Sequence, residues 1–133
     1  MVMANKELRI SPLNHTWILD FDGTLVRHNG YKDGVTNTDE WLPGALDFLH
    51  SIPVDDYVLI LTAREDEEDV RNRTIEFIRA ANVRFNDIKF GMPMGERILI
   101  NDNKPSGLVC SYALTPERNQ GLEEFKLIID ENL

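Results

Sequence analysis

WILDFDGTLV, residues 17–26, is the stretch on which the reading of this chain turns. An apolar run ends in two carboxylates two positions apart, Asp20 and Asp22, and Gly23 and Thr24 follow at once. Unpaired carboxylates brought that close repel, and one of them is driven toward its protonated form unless a cation or a donor compensates. The stretch therefore poses a question about what lies opposite it.

Working outward, His15–Leu19 reads as a buried strand, and Tyr57–Leu61 (YVLIL) as a second one, apolar enough to be buried on both faces. Asp87–Phe90 is a weak third strand, Arg97–Ile100 (RILI) a fourth and Leu108–Leu114 a fifth. Pro12 is expected to block regular structure in residues 1–14. Val26–Glu40, rich in Gly, Asn and Asp, reads as an irregular loop or short flap. Pro43 opens a helix of about two turns that Pro53 stops. The spacing of Val70, Thr74, Phe77, Ile78 and Ala81 predicts a helix over 65–81, with acidic residues 65–69 suited to its positive end. Leu122, Phe125, Ile128 and Ile129 have the spacing of a C-terminal helix over 121–132. Short apolar strands alternating with helices imply an α/β fold: a Rossmann-like, doubly wound parallel sheet of about five strands, covered on both sides. Ligands on such sheets bind beyond the carboxyl ends of the strands.

With 133 residues, 42% hydrophobic and 28% charged, one domain spanning 1–133 is expected. The single cysteine, Cys110, excludes an internal disulfide, fits a reducing, cytoplasmic setting, and is expected to pack in the core on its strand. No signal-like or membrane-spanning run stands out. A net charge of −9 argues against a general nucleic-acid binder and suits attraction of a divalent cation.

Three of the strands end in polar clusters: Asp20-Phe21-Asp22-Gly23-Thr24, Thr62-Ala63-Arg64 and Asn101-Asp102-Asn103-Lys104. If the strands are parallel and adjacent, these clusters converge. Any one of them alone is ordinary turn chemistry; their conjunction in this order is what points to a site. Mg2+ with Asp20 and Asp102 as side-chain ligands would relieve the repulsion. Asp22 would lend its backbone carbonyl and keep its carboxyl for proton transfer, and Gly23 would allow close approach of an anion.

On these residues the chain resembles the haloacid dehalogenase (HAD) superfamily of Mg2+-dependent phosphohydrolases, over roughly residues 15–114, with D-x-D-G-T as the specific part. The resemblance implies that Asp20 is the nucleophile and forms an aspartyl-phosphate. It implies that Asp22 is general acid and then base, that Thr62 binds the phosphoryl group with backbone amides near Phe21 and Ala63, and that Asp102 holds the metal. Two positions depart from the pattern. Met92 of Gly91-Met92-Pro93 stands where small relatives carry a lysine that clamps nucleophile and phosphate; Lys104 or Lys89 would supply that charge, Lys104 being favoured. Asn101 replaces the first acid of a common Asp-Asp pair. Arg64 could touch substrate, or could be an exposed arginine paired with Glu67 or Glu68. His28 and Tyr31, in the loop after the nucleophile, could contact the leaving group or stand in solvent. His15 and His50 read as structural, and the acids 65–69 as a solvated face.

Neither interval where HAD enzymes insert a cap has room for one. Capless members act on large substrates or oligomerise, so a homo-oligomer acting on a small phosphate ester is expected. The stretches NDNKPSG and LTPERNQG are similar to small bacterial HAD proteins of capsule or surface-sugar synthesis, which implies a sugar, polyol or amino-alcohol phosphate. The competing expectations are a polynucleotide-end phosphatase and a poorly active binding or regulatory module.

Overall fold

The computed structural model describes residues 6–29 and 39–133. Among the described residues, mixed α/β content is arranged as two small sheets whose named strands pair in parallel. In chain order the elements are β1 (Lys6–Ile10), β2 (Thr16–Asp20), α1 (Ala45–Ser51), β3 (Tyr57–Leu61), α2 (Glu68–Ala80), β4 (Asp87–Lys89) and β5 (Phe125–Ile129). One sheet has the order β2-β3-β4 and the other pairs β1 with β5. This arrangement is compatible with a Rossmann-like fold.

Register decides which face is wet. Trp17 pairs with Val58, and Leu19 with Ile60, which pairs in turn with Ile88. These side chains share one face, and Trp17, Val58 and Ile60 belong to the core with Phe48, Leu49, Ile52, Ile78 and Val83. One step along, Ile18 and Tyr57 are 47% and 45% exposed. The expectation of burial on both faces is thus corrected: strand alternation sends every second residue to a face that is partly open.

α1 forms between the prolines that bracket it, and α2 follows the predicted spacing but begins at Glu68, so residues 65–67 of the expected first turns precede it. Gly44 turns into α1 at φ 76°, and a Cβ there would meet the Glu123 backbone at 2.7 Å. α2 buries Val70, Thr74 and Ile78, which lie on one stripe. It ends in a Schellman motif with Asn82 at φ 58°: the Asn82 amide donates to the Arg79 carbonyl (2.9 Å) and the Val83 amide to the Ile78 carbonyl (3.4 Å).

The start and the last third of the chain depart from expectation. Pro12 does not prevent early structure, because β1 ends two residues before it and a proline past a strand end costs no ladder bond. The expected C-terminal helix is instead β5, whose FKLII pairs with β1. Adjacent Ile128 and Ile129 suit a pleated strand, and the sheet partner outweighs the helical spacing. Neither Arg97–Ile100 nor Leu108–Leu114 is a strand. Ile98 and Ile100 are 84% and 92% exposed, so the RILI run finds no sheet edge to join; apolar content cannot reveal whether a partner is available. Cys110 is half-buried off any strand, rather than a core residue on one.

Asp56, just before β3, ties the two sheets together. Its buried carboxylate accepts from Trp17 Nε1 (2.9 Å) and the His15 amide (3.0 Å), and pairs with His15 Nδ1 (2.7 Å). His15 Nε2 reaches the Ser11 carbonyl at 2.9 Å, just past β1. His15 is structural, as expected, and so is His50, whose Nε2 lies 3.2 Å from the Ala81 carbonyl.

Candidate active site

Parallel pairing of β2 with β3 sets Asp20 opposite Leu61. The residues that follow, Phe21–Thr24 and Thr62–Arg64, therefore leave the same edge of the sheet side by side. Asp20–Val26 is a compact turn. The amides of Thr24, Leu25 and Val26 all converge on the Phe21 carbonyl (3.2, 2.9 and 3.2 Å). Gly23 takes φ 86°, donates to the Val26 carbonyl (2.7 Å) and accepts from the Asn119 amide (2.8 Å). Beside it lies the Arg118 side chain, 3.3 Å from where a Cβ would stand. The Arg27 amide donates to the Glu40 carbonyl and the Leu42 amide to the Leu25 carbonyl, both at 2.9 Å, while most of the expected flap, residues 30–38, lies outside the described residues.

Asp20 is about 39% exposed at the edge. Thr24 Oγ1 donates to its Oδ2 (2.9 Å), and Arg97 Nη1 lies 3.3 Å from its Oδ1. Arg97 was not singled out by the sequence, which offered lysines for this place. Lys89 instead pairs with Asp87 at 3.2 Å, and that contact holds the Asp87 carboxyl below its ordinary range. Lys104 is exposed in a turn in which its amide meets the Leu108 carbonyl (2.9 Å). Neither lysine contacts Asp20. Arg97 does so because its segment stays off the sheet and crosses the rim, a placement that composition could not foretell.

Arg64 corrects the reading of it as an exposed arginine. It is neither exposed nor paired with Glu67 or Glu68; its side chain is 2% exposed. Nε and Nη2 donate to the two Asp22 oxygens (3.0 and 2.8 Å), and Nη1 and Nη2 to the two Asp39 oxygens (3.1 and 2.6 Å). Nη1 also donates to Thr74 Oγ1 (3.0 Å), and the guanidinium lies 4.7 Å over the Phe21 ring. Burial alone would pull the guanidinium down; the bonds to Asp22 and Asp39 more than reverse this and hold it above its ordinary value. Thr74, read from the sequence only as a core position of α2, thus takes a polar part.

Thr62 is 1% exposed, and its hydroxyl accepts the Arg64 amide at 3.1 Å. Among the described residues nothing accepts the hydroxyl's own proton. The Thr62 amide is spent on the Lys89 carbonyl (2.9 Å), and its carbonyl accepts from Met92 (3.0 Å). Ala63 is exposed next to it. His28 stands in solvent, with its amide on Asn119 Oδ1 (2.7 Å). Tyr31 lies outside the described residues. The acids 65–69 are all exposed, as expected, and Glu65 beside Glu67 pushes the Glu67 carboxyl above its ordinary value.

The structure thus brings together Asp20, Asp22, Gly23, Thr62, Ala63 and Arg64, with Arg97 on the rim. Among the described residues no hydrogen bond or ion pair joins Asp102 to them. That residue is exposed, and among the described residues its carbonyl accepts from Asn101 Nδ2 (3.0 Å) while its carboxylate makes no bond. Among the described residues no group of three or more His, Cys, Asp or Glu side chains forms a metal-holding set. The oxygens of Asp20 and Asp22 are engaged by Thr24, Arg97 and Arg64. Mg2+ takes one or two carboxylates together with waters and phosphate oxygens, and of the expected ligands Asp20 and Asp22 stand at this edge.

No family model, curated protein or solved structure matches the chain. No helix among the described residues is long and apolar enough to cross a membrane.

Proposed function

We propose that the protein is a capless HAD-like phosphohydrolase that cleaves a small phosphate monoester through a phosphoryl-aspartate at Asp20. The observation that carries this reading is the register at the sheet edge. Parallel strands present the Asp20–Thr24 turn and the Thr62–Arg64 turn side by side, as a phosphoryl group held between nucleophile and hydroxyl requires.

Thr24 holds one Asp20 oxygen at 2.9 Å and so orients the other toward the rim. An Asp20 oxygen attacks phosphorus, the ester P–O bond breaks, and the leaving oxygen takes a proton from Asp22. In the second half, Asp22 takes a proton from water, the water oxygen attacks phosphorus, and the Asp20 carboxylate is restored as inorganic phosphate leaves. Each Asp22 oxygen accepts from Arg64 yet keeps a second lone-pair direction for this work. The proton of the buried Thr62 hydroxyl is available to a phosphoryl oxygen. Arg97, in place of the expected lysine, supplies positive charge where negative charge builds up. Mg2+ belongs to the reading through the resemblance alone, and no step above is routed through it. The reading also includes a sugar, polyol or amino-alcohol phosphate as substrate, a cytoplasmic setting and a homo-oligomer that shields the open site.

The test is release of phosphate from a panel of phosphate esters, with Mg2+ and with EDTA, for the wild type and Asp20→Asn. Turnover that disappears in Asp20→Asn supports the reading; equal turnover in both sinks it. A poorly active binding module is the second reading, favoured by the Asp102 carboxylate making no bond among the described residues. It is the outcome if no ester is turned over while phosphate still binds.

A further inference from the structure

We infer that Arg64 and Asp39 together are the positioning device for Asp22: one guanidinium, gripped by Asp39 and Thr74 on one side, fixes the Asp22 carboxylate on the other. The inference rests on the phosphohydrolase reading for its catalytic consequence, and on geometry for the device itself.

A guanidinium has five N–H donors in a rigid plane. In Arg64 all five are used: two on Asp22, two on Asp39 and one on Thr74. No donor is left for a substrate, so Arg64 acts through other side chains. The plane is fixed from three directions. Phe21 packs against its face, Thr74 anchors one nitrogen from α2, and Asp39 closes a bidentate fork. Asp22 then meets a partner that cannot rotate, and two parallel bonds determine the position and tilt of its carboxylate. Asp39 is also well buried, with a side chain 7% exposed, so its charge has the same guanidinium as counter-ion. Two carboxylates from separate segments share one cation, and loss of the cation would leave both uncompensated. A lysine at position 64 would keep the charge and lose the fork.

The experiment measures kcat and KM for p-nitrophenyl phosphate in the wild type, Arg64→Lys, Asp39→Asn, Asp22→Asn and the Arg64→Lys/Asp22→Asn double variant. A group displaced by about 1 Å from its working position costs on the order of 100-fold in rate. Arg64→Lys is expected to lose about that much in kcat with KM within about twofold of wild type, and Asp39→Asn to lose several-fold in the same way. In the Asp22→Asn background, Arg64→Lys should cost less than about twofold, because the residue it positions is already disabled. A rise in KM at constant kcat, or losses that multiply in the double variant, overturns the inference. If Arg64→Lys fails to fold, Asp39→Asn carries the same comparison in the same background.

A wild type that hydrolyses no ester defeats the phosphohydrolase reading, and the device is then decided by the Arg64 Nε–H resonance of the full 15N-labelled chain. A slowly exchanging Nε–H whose resonance moves in Asp39→Asn, although Asp39 does not bond Nε, sustains the coupling. A Nε–H exchanging like that of an exposed arginine, or one that Asp39→Asn leaves in place, overturns it.

Discussion

Replacing Asp56 by asparagine keeps the shape of the side chain and removes its charge, at the point where the start of β2, the start of β3 and the end of β1 are tied together. The Asp56 carboxylate accepts from Trp17 Nε1 and the His15 amide and pairs with His15 Nδ1, all within 3.0 Å, and its side chain is 1% exposed. Asparagine offers one acceptor oxygen instead of two, so its amide must face at least one buried donor. That orphaned donor costs about 1–3 kcal/mol, and loss of charge assistance in the remaining bonds costs about 1 kcal/mol more. A destabilisation of about 3 kcal/mol follows, or a fall in Tm on the order of 10 °C for a domain of this size.

The pH dependence has a definite sign. Burial pushes the Asp56 carboxyl up, but the bonds from Trp17 and His15 outweigh it and hold the group below its ordinary value of 3.8. Its contribution is therefore complete above about pH 4 and is lost as pH falls through the lower, folded value. Urea unfolding followed by tryptophan fluorescence, from pH 7 to pH 3, measures both effects. The gap between wild type and Asp56→Asn should be full at pH 7 and should narrow only toward the acid end. A gap below about 0.5 kcal/mol at pH 7 would refute the reasoning, since that lies within the range of unremarkable surface changes. So would a gap of the same size at pH 7 and at pH 3.

Three further outcomes are expected. Gly121→Ala should destabilise by about 2 kcal/mol or more in urea titrations, because Gly121 has φ 81° and a methyl there would overlap the Pro43 carbonyl. Arg97→Gln should leave Tm unchanged, since its pair with Asp20 is roughly 40% exposed on both sides, yet lower kcat on phosphate esters by about 10- to 100-fold. Lys104→Gln and Lys89→Gln, in the same assay, should stay within about twofold of wild type, because neither lysine contacts Asp20.

The secondary structure from β2 to β4 was legible where its signals are local and agree with one another. Tyr57–Leu61 is a strand with the bounds its apolar run gives, and the prolines bracket α1. The α2 stripe of Val70, Thr74 and Ile78 is read directly from spacing. The edge that joins Asp20 to Thr62 follows from parallel pairing alone. The rest was hidden for physical reasons. FKLII carries both a helical spacing and β-branched neighbours, and only the presence of β1 as a partner decides between them. RILI has the composition of a strand, but composition does not state which sheet edge is free. Arg64 reads as a helix-start arginine because the residue that buries its other side, Asp39, lies far upstream. The same holds for Arg97, whose approach to Asp20 depends on the path of a segment without regular structure. Asp102 was expected at the site because RILI was expected in the sheet, and with RILI outside the sheet that argument for Asp102 is lost.

The most direct measurement on the central claim is a rapid acid quench of the protein during turnover of a phosphate ester, followed by peptide mass analysis. A phosphoryl group carried on Asp20, within residues 17–26, and absent from the Asp20→Asn variant is the result this account predicts. A phosphoryl group on another residue, or turnover undiminished in Asp20→Asn, would contradict it.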